Sequence, residues 1–145
     1  MFSASIPLYL GVRQIARPTS DISDGNWLNE LGNNTNLFAS LDEVTPLDDD
    51  YIISPLNPSS EPVTIGMDSA LQTPLAGQQY AMYRIGKDNP SARIDITVEL
   101  LQGASVVQTW TYTDVAYGFT NISELITGTI TDYSQLRLRF TANKV

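Results

Sequence analysis

The sequence predicts an all-β protein, a single antiparallel β-sandwich of jelly-roll type with long loops in its N-terminal half. Three observations carry this. In 93–101, Ile94, Ile96, Val98 and Leu100 alternate with Arg93, Asp95, Thr97 and Glu99, and in 135–142, Leu136, Leu138, Phe140 and Ala142 alternate with Arg137, Arg139 and Thr141. A period of two sends one set to a buried sheet face and the other outward. All eight prolines lie at or before Pro90, so the first part of the chain is rich in loops and the rest is regular sheet. No segment shows a convincing helical period.

In chain order, residues 1–16 read as an N-terminal arm or edge strand, with extended segments near 6–12 and 14–17. They carry Phe2, Ile6, Leu8, Tyr9, Leu10, Val12 and Ile15 but also Pro7, which disfavours a central strand. The sandwich domain spans 17–145. Within it, 18–25 is dense in turn formers and reads as a loop, with Trp27 plugging the sheet beneath it. Residues 31–36 are a second turn cluster, 37–41 a short strand, 42–50 an acidic loop and 51–54 a brief strand. Strands follow at 63–67 and 79–85, the latter alternating Tyr80, Met82 and Arg84 against Ala81, Tyr83 and Ile85. Residues 86–90 form a hairpin-like loop into the regular region. Gly103 permits a tight turn between 93–101 and 105–113, where Val106, Trp110 and Tyr112 share a side. One strand is expected within 118–130, where 122–126 is also compatible with a turn of helix, and 131–133 turns into the last strand.

The 145 residues suit one domain with its own core, and 42% hydrophobic content is that of a folded chain. No run approaches the roughly 18 apolar residues that span a bilayer, and 1–12 lacks the basic lead and long apolar core of a signal peptide. Eight Lys and Arg stand against sixteen Asp and Glu, a net charge of −8. Scattered, outnumbered bases argue against nucleic acid and against an anionic membrane surface. With no Cys, no disulfide is formed and no redox compartment is indicated. The sequons at Asn33 and Asn121 are of a kind common by chance.

The absence of His and Cys excludes Ser-His-Asp and Cys-His nucleophilic sites and zinc sites of the usual kind. The nine glycines form no phosphate-binding loop. Carboxylates remain. Asp95 and Glu99 share a strand face, four residues apart, and are expected to form cross-strand ion pairs with Arg137 and Arg139 rather than a glycosidase pair. Asp48, Asp49 and Asp50, near Asp42 and Glu43, lack the glycine and spacing of a calcium loop and read as a solvated acidic loop. Aromatic faces bind sugars, but Tyr83, Trp110 and Tyr112 sit in alternating strands and read as core, and Trp27, Tyr51 and Tyr117 as loop anchors. No catalytic, cofactor-binding or metal-ligating residue is nominated, and no cofactor is expected.

Three stretches taken together resemble a module of tailed-bacteriophage virion proteins: Arg17-Pro-Thr-Ser-Asp-Ile-Ser-Asp-Gly-Asn-Trp27; Leu37-Phe-Ala-Ser-Leu-Asp-Glu43 leading to Asp48-Asp-Asp-Tyr-Ile52; and 98–103 through 130–140. The resemblance covers most of the chain after residue 16. It implies a jelly-roll-like, non-enzymatic particle component located in the virion and assembled in the host cytoplasm. The expectation is a capsid decoration or cement protein bound to the major capsid protein or other virion proteins, as a homo-oligomer with a trimer favoured. The alternative is a tail, neck or fibre component, with a receptor- or carbohydrate-binding surface.

Overall fold

The computed structural model describes residues 14–43, 45, 47–74 and 77–145. The extended segment expected at 6–12 therefore lies outside the described residues. Nine strands follow in order: β1 Pro18–Ser23, β2 Leu28–Asn29, β3 Ile52–Ile53, β4 Glu61–Met67, β5 Tyr80–Ile85, β6 Ile94–Gln102, β7 Ser105–Tyr112, β8 Thr120–Leu125 and β9 Leu136–Lys144. Every strand pairing is antiparallel. One five-stranded sheet has the order β1-β4-β9-β6-β7, and β2-β3 and β5-β8 form separate two-stranded ribbons.

The alternation read in β6 and β9 builds the centre of the large sheet. Val98 pairs with Phe140 and Leu100 with Leu138, while β4 sets Val63 beside Phe140 and Ile65 beside Leu138. These residues form one apolar face, because cross-strand partners point the same way. The β5-β8 ribbon covers the β6 half of that face, in a cluster with Ile85, Ile96, Val98, Leu100, Val115, Leu136 and Leu138. Trp27, Leu37 and Ile52 cover the β4 half over Val63, Ile65 and Ala142. Phe140 packs against both clusters. The result is the expected antiparallel sandwich; five strands facing two ribbons leave jelly-roll winding as an expectation.

The sheet's other face is polar. One row across it reads Thr64, Arg139, Glu99 and Thr109, and the next Pro62, Thr141, Thr97 and Thr111. Arg139 Nε meets Glu99 Oε2 at 2.5 Å, the cross-strand pair read from the sequence. Its companion does not form: Arg137 faces Leu101 and Asp95 faces Asn143, and the Asp95 carboxylate instead accepts from Asp114 N at 2.8 Å.

Three local expectations are corrected, and an alternative is settled. The turn-forming stretch after Arg17 contains β1, an edge strand with two register shifts against β4; pairing with β4 overrides its local propensity. Residues 37–40 form a 3-10 turn rather than a strand, because Asn36 adopts φ 56° and Asp21 of β1 accepts from Leu37 N and Phe38 N at 2.9 and 2.8 Å. Val106 does not share the face of Trp110 and Tyr112: a register shift pairs Leu100 with Gln108 but Leu101 with Val106, which turns Val106 outward. The strand expected within 118–130 is β8, and 122–125 belong to it rather than to the turn of helix also weighed there, since β8 finds its partner in β5.

Candidate interaction surface

The β5-β8 ribbon carries a group of exposed apolar side chains on its outer face. Its register pairs Tyr80 with Leu125, Met82 with Ser123 and Arg84 with Asn121. Ala81 and Ile85 point into the sandwich and are buried, so Tyr80, Met82 and Arg84 point away from it. Met82 is 68% exposed, Tyr80 50% and Leu125 38%, which sets three large apolar side chains together on the outer face. Beyond them, Arg84 forms an ion pair with Asp48 and lies 5.3 Å from the centre of the Phe119 ring. Phe119 in turn packs against Tyr51 at 6.1 Å. Apolar side chains exposed together on one face with a polar border are the kind of surface that protein contacts bury.

The ribbon is held firmly from its inner side. The Tyr83 hydroxyl lies 2.7 Å from that of Tyr112, whose proton goes to Glu124 Oε1 at 2.8 Å. Tyr83 also meets Tyr112 and Phe140 edge-on, at 6.2 and 5.7 Å between ring centres. Burial, and then the hydrogen bond to Tyr112, push the Tyr83 phenol far above its ordinary range; burial pushes Tyr112 up to about 12. At the ribbon's end, Gln108 of β7 donates to Leu125 O and accepts from Thr127 N and Gly128 N, and Gln79 exchanges hydrogen bonds with the Tyr133 hydroxyl at 2.6 and 2.9 Å. The outer patch thus rests on a rigid support.

The residues weighed for chemistry are placed as follows. Trp27 is 6% exposed and donates Nε1–H to Glu61 O at 3.0 Å, a plug beneath its loop. Tyr83, Trp110 and Tyr112 are half-buried around the core, as read. Tyr117 is 66% exposed. Among the described residues, no group of three or more Asp and Glu is arranged to hold a metal ion. In the acidic loop, burial and then the neighbouring Asp50 carboxyl raise the Glu43 pKa, so the Glu43 carboxyl is held back from ionising.

A shallow cleft of about 370 Å³ opens between β7 and β8 over Ile85, Val115 and Ile122, rimmed by Thr111, Thr113, Asp114 and Thr120. Its one carboxylate, Asp114, is tied to Lys87 Nζ at 2.5 Å, and that hydrogen bond holds its pKa below the usual carboxylate range. The rim therefore offers no pair of carboxyls for general acid–base chemistry.

The outward set Tyr80, Met82 and Arg84 was visible as an alternation. Leu125 was not, because its pairing with Tyr80 joins segments 45 residues apart. No family model, curated protein or solved structure matches the chain.

Proposed function

We propose that this chain is a non-enzymatic structural component of a tailed-bacteriophage virion, working through protein–protein contacts as a capsid decoration or cement protein. The observation that carries the contact role is the apolar outer face of Tyr80, Met82 and Leu125 on a ribbon fixed from below. Exposed apolar area on a rigid element is what a docking protein presents, because little ordering entropy is lost when it is covered. The virion context is supported by the resemblance of 17–27, 37–52 and 98–140 to phage virion modules. Its partners in this reading are the major capsid protein or other virion proteins and further copies of itself.

The alternative, a tail, neck or fibre component, differs in stoichiometry. Quantitative mass spectrometry of purified particles separates the two. Hundreds of copies per particle are expected for decoration, three to about a dozen support the tail or neck, and absence from washed particles overturns both.

A further inference from the structure

The register of the large sheet leaves an arginine without a counter-charge. Arg137 on β9 lies between Gly66 of β4 and Leu101 of β6, so neither ladder sets a carboxylate beside it. Other bases are provided for: Arg139 meets Glu99, Arg84 meets Asp48, Lys87 meets Asp114, and Arg17 donates to Glu43 O. Among the described residues Arg137 forms no ion pair. The acids close to this region in sequence are spent on their own loops. Asp68 Oδ1 accepts from Ala70 N at 2.8 Å, and Asp132 accepts from Ser134 N and Gln135 Nε2 at 3.0 and 2.7 Å.

Arg137 lines a cleft of about 230 Å³ where β1, the end of β4 and the start of β9 meet. Gly66 shapes it. A methyl group there would come within 2.4 Å of Ser20 Oγ and 3.1 Å of Ile22 Cδ1, so the missing side chain lets Ser20 and Ile22 lean over β4 and form a wall. Thr19, Ser20, Ser69 and Ser134 bring four hydroxyl-bearing side chains to the lining. Of these, Ser134 Oγ donates to Asp132 Oδ1 at 2.5 Å, which leaves its lone pairs to accept.

This combination selects a ligand chemistry. A guanidinium fork matches a carboxylate with two parallel hydrogen bonds. Hydroxyls both donate and accept, which suits a ligand carrying hydroxyls of its own. In a chain of net charge −8, one arginine balances one negative charge, and a dianion would add repulsion. The cleft is also smaller than the roughly 300–1,000 Å³ of pockets for drug-sized ligands, so it has room for a single sugar unit.

We propose that this cleft binds an acidic monosaccharide unit, a hexuronate, with its carboxylate on Arg137 and its hydroxyls against Thr19, Ser20 and Ser69. The site uses β1, β4 and β9, none of which contributes to the outer face of the β5-β8 ribbon. Its failure therefore leaves the proposed contact role untouched, and the reverse holds too.

The test is a nuclear magnetic resonance titration of the ¹⁵N-labelled full-length chain with sodium glucuronate and, in parallel, glucose, sodium acetate and sodium phosphate. Glucuronate is expected to shift the amides of Ser20, Gly66 and Arg137 with a Kd on the order of 1 mM, the weak affinity of so small a ligand. Glucose, acetate and phosphate are each expected to bind at least about tenfold more weakly. Arg137→Gln should weaken glucuronate binding at least about tenfold at an unchanged melting temperature, and Arg137→Lys, which keeps the charge and loses the fork, should fall between. No shift at these amides overturns the proposal, as does an Arg137→Gln protein that binds as before. Acetate or phosphate binding as tightly as glucuronate overturns it too, since the cleft would then hold a simple anion; glucose binding as tightly removes the role of Arg137. The four-ligand comparison needs no variant, so it decides the matter even if Arg137→Gln fails to fold.

Discussion

Truncating Phe140 to Ala tests the organisation of the core most sharply, because this ring joins its two halves. Phe140 packs against the cluster under the β5-β8 ribbon and against the cluster around Trp27 and Leu37. Its partners in the sheet are Val63 on β4 and Val98 on β6, both fully buried, and its ring meets Tyr83 edge-on. Truncation of a buried Phe costs about 3–5 kcal/mol through lost transfer energy and a residual cavity. Phe140 is only partly buried, which puts it at the lower end, and the lost aromatic pair contributes about 1 kcal/mol of the total. The expected loss is therefore about 3 kcal/mol in urea melts at an unchanged m-value, against about 1 kcal/mol for Phe140→Leu, which keeps most of the volume. A loss below about 1 kcal/mol for Phe140→Ala would refute the claim that one ring ties the two halves of the core.

Other outcomes follow from named contacts. Tyr83 and Tyr112 keep their protons in the folded state beyond the ordinary tyrosine pKa of 10, so the unfolded chain ionises first. Their contribution to stability is complete below pH 10 and declines as pH rises through Tyr112's value of about 12, which alkaline melts should show and Tyr83→Phe/Tyr112→Phe should blunt. Asp21→Ala removes both caps of the 3-10 turn and should cost about 1–2 kcal/mol in denaturant melts; no change would mean that Leu37 N and Phe38 N find other partners. A methyl group on Gly86 would come within 1.8 Å of Gly118 O, so Gly86→Ala should lose about 2–3 kcal/mol, and a neutral result would contradict this close approach of the two backbones.

The strands legible in the sequence are those whose alternation is long and whose faces differ in polarity. β6 and β9 announce themselves through Ile94 to Leu100 and Leu136 to Ala142, and β5 through Tyr80 to Ile85. What escaped depends on distant partners. β1 is strand because β4 pairs with it, and 37–40 turns because a carboxylate 16 residues earlier caps it. The outward position of Val106 follows from a register shift that no local pattern records. The Glu99–Arg139 pair was readable because both residues sit on the polar phase of adjacent strands; Asp95 went elsewhere because Asp114 N lies beside it. The exposed outer face of β5-β8 was half legible. Tyr80 and Met82 were assigned to one side of a strand, but the direction of that side is set by how the ribbon packs on the large sheet.

The central claim is that this chain works by surface contact within a particle, through the outer face of β5-β8. On the proposed reading the source of this chain is a virus, and a cryo-electron microscopy reconstruction of its purified particles tests that reading most directly. The account predicts density for the sandwich on the particle, repeated at symmetric positions on the head, with Tyr80, Met82 and Leu125 covered by another chain. Particles without that density, or with the sandwich present but those three side chains facing solvent, would contradict it.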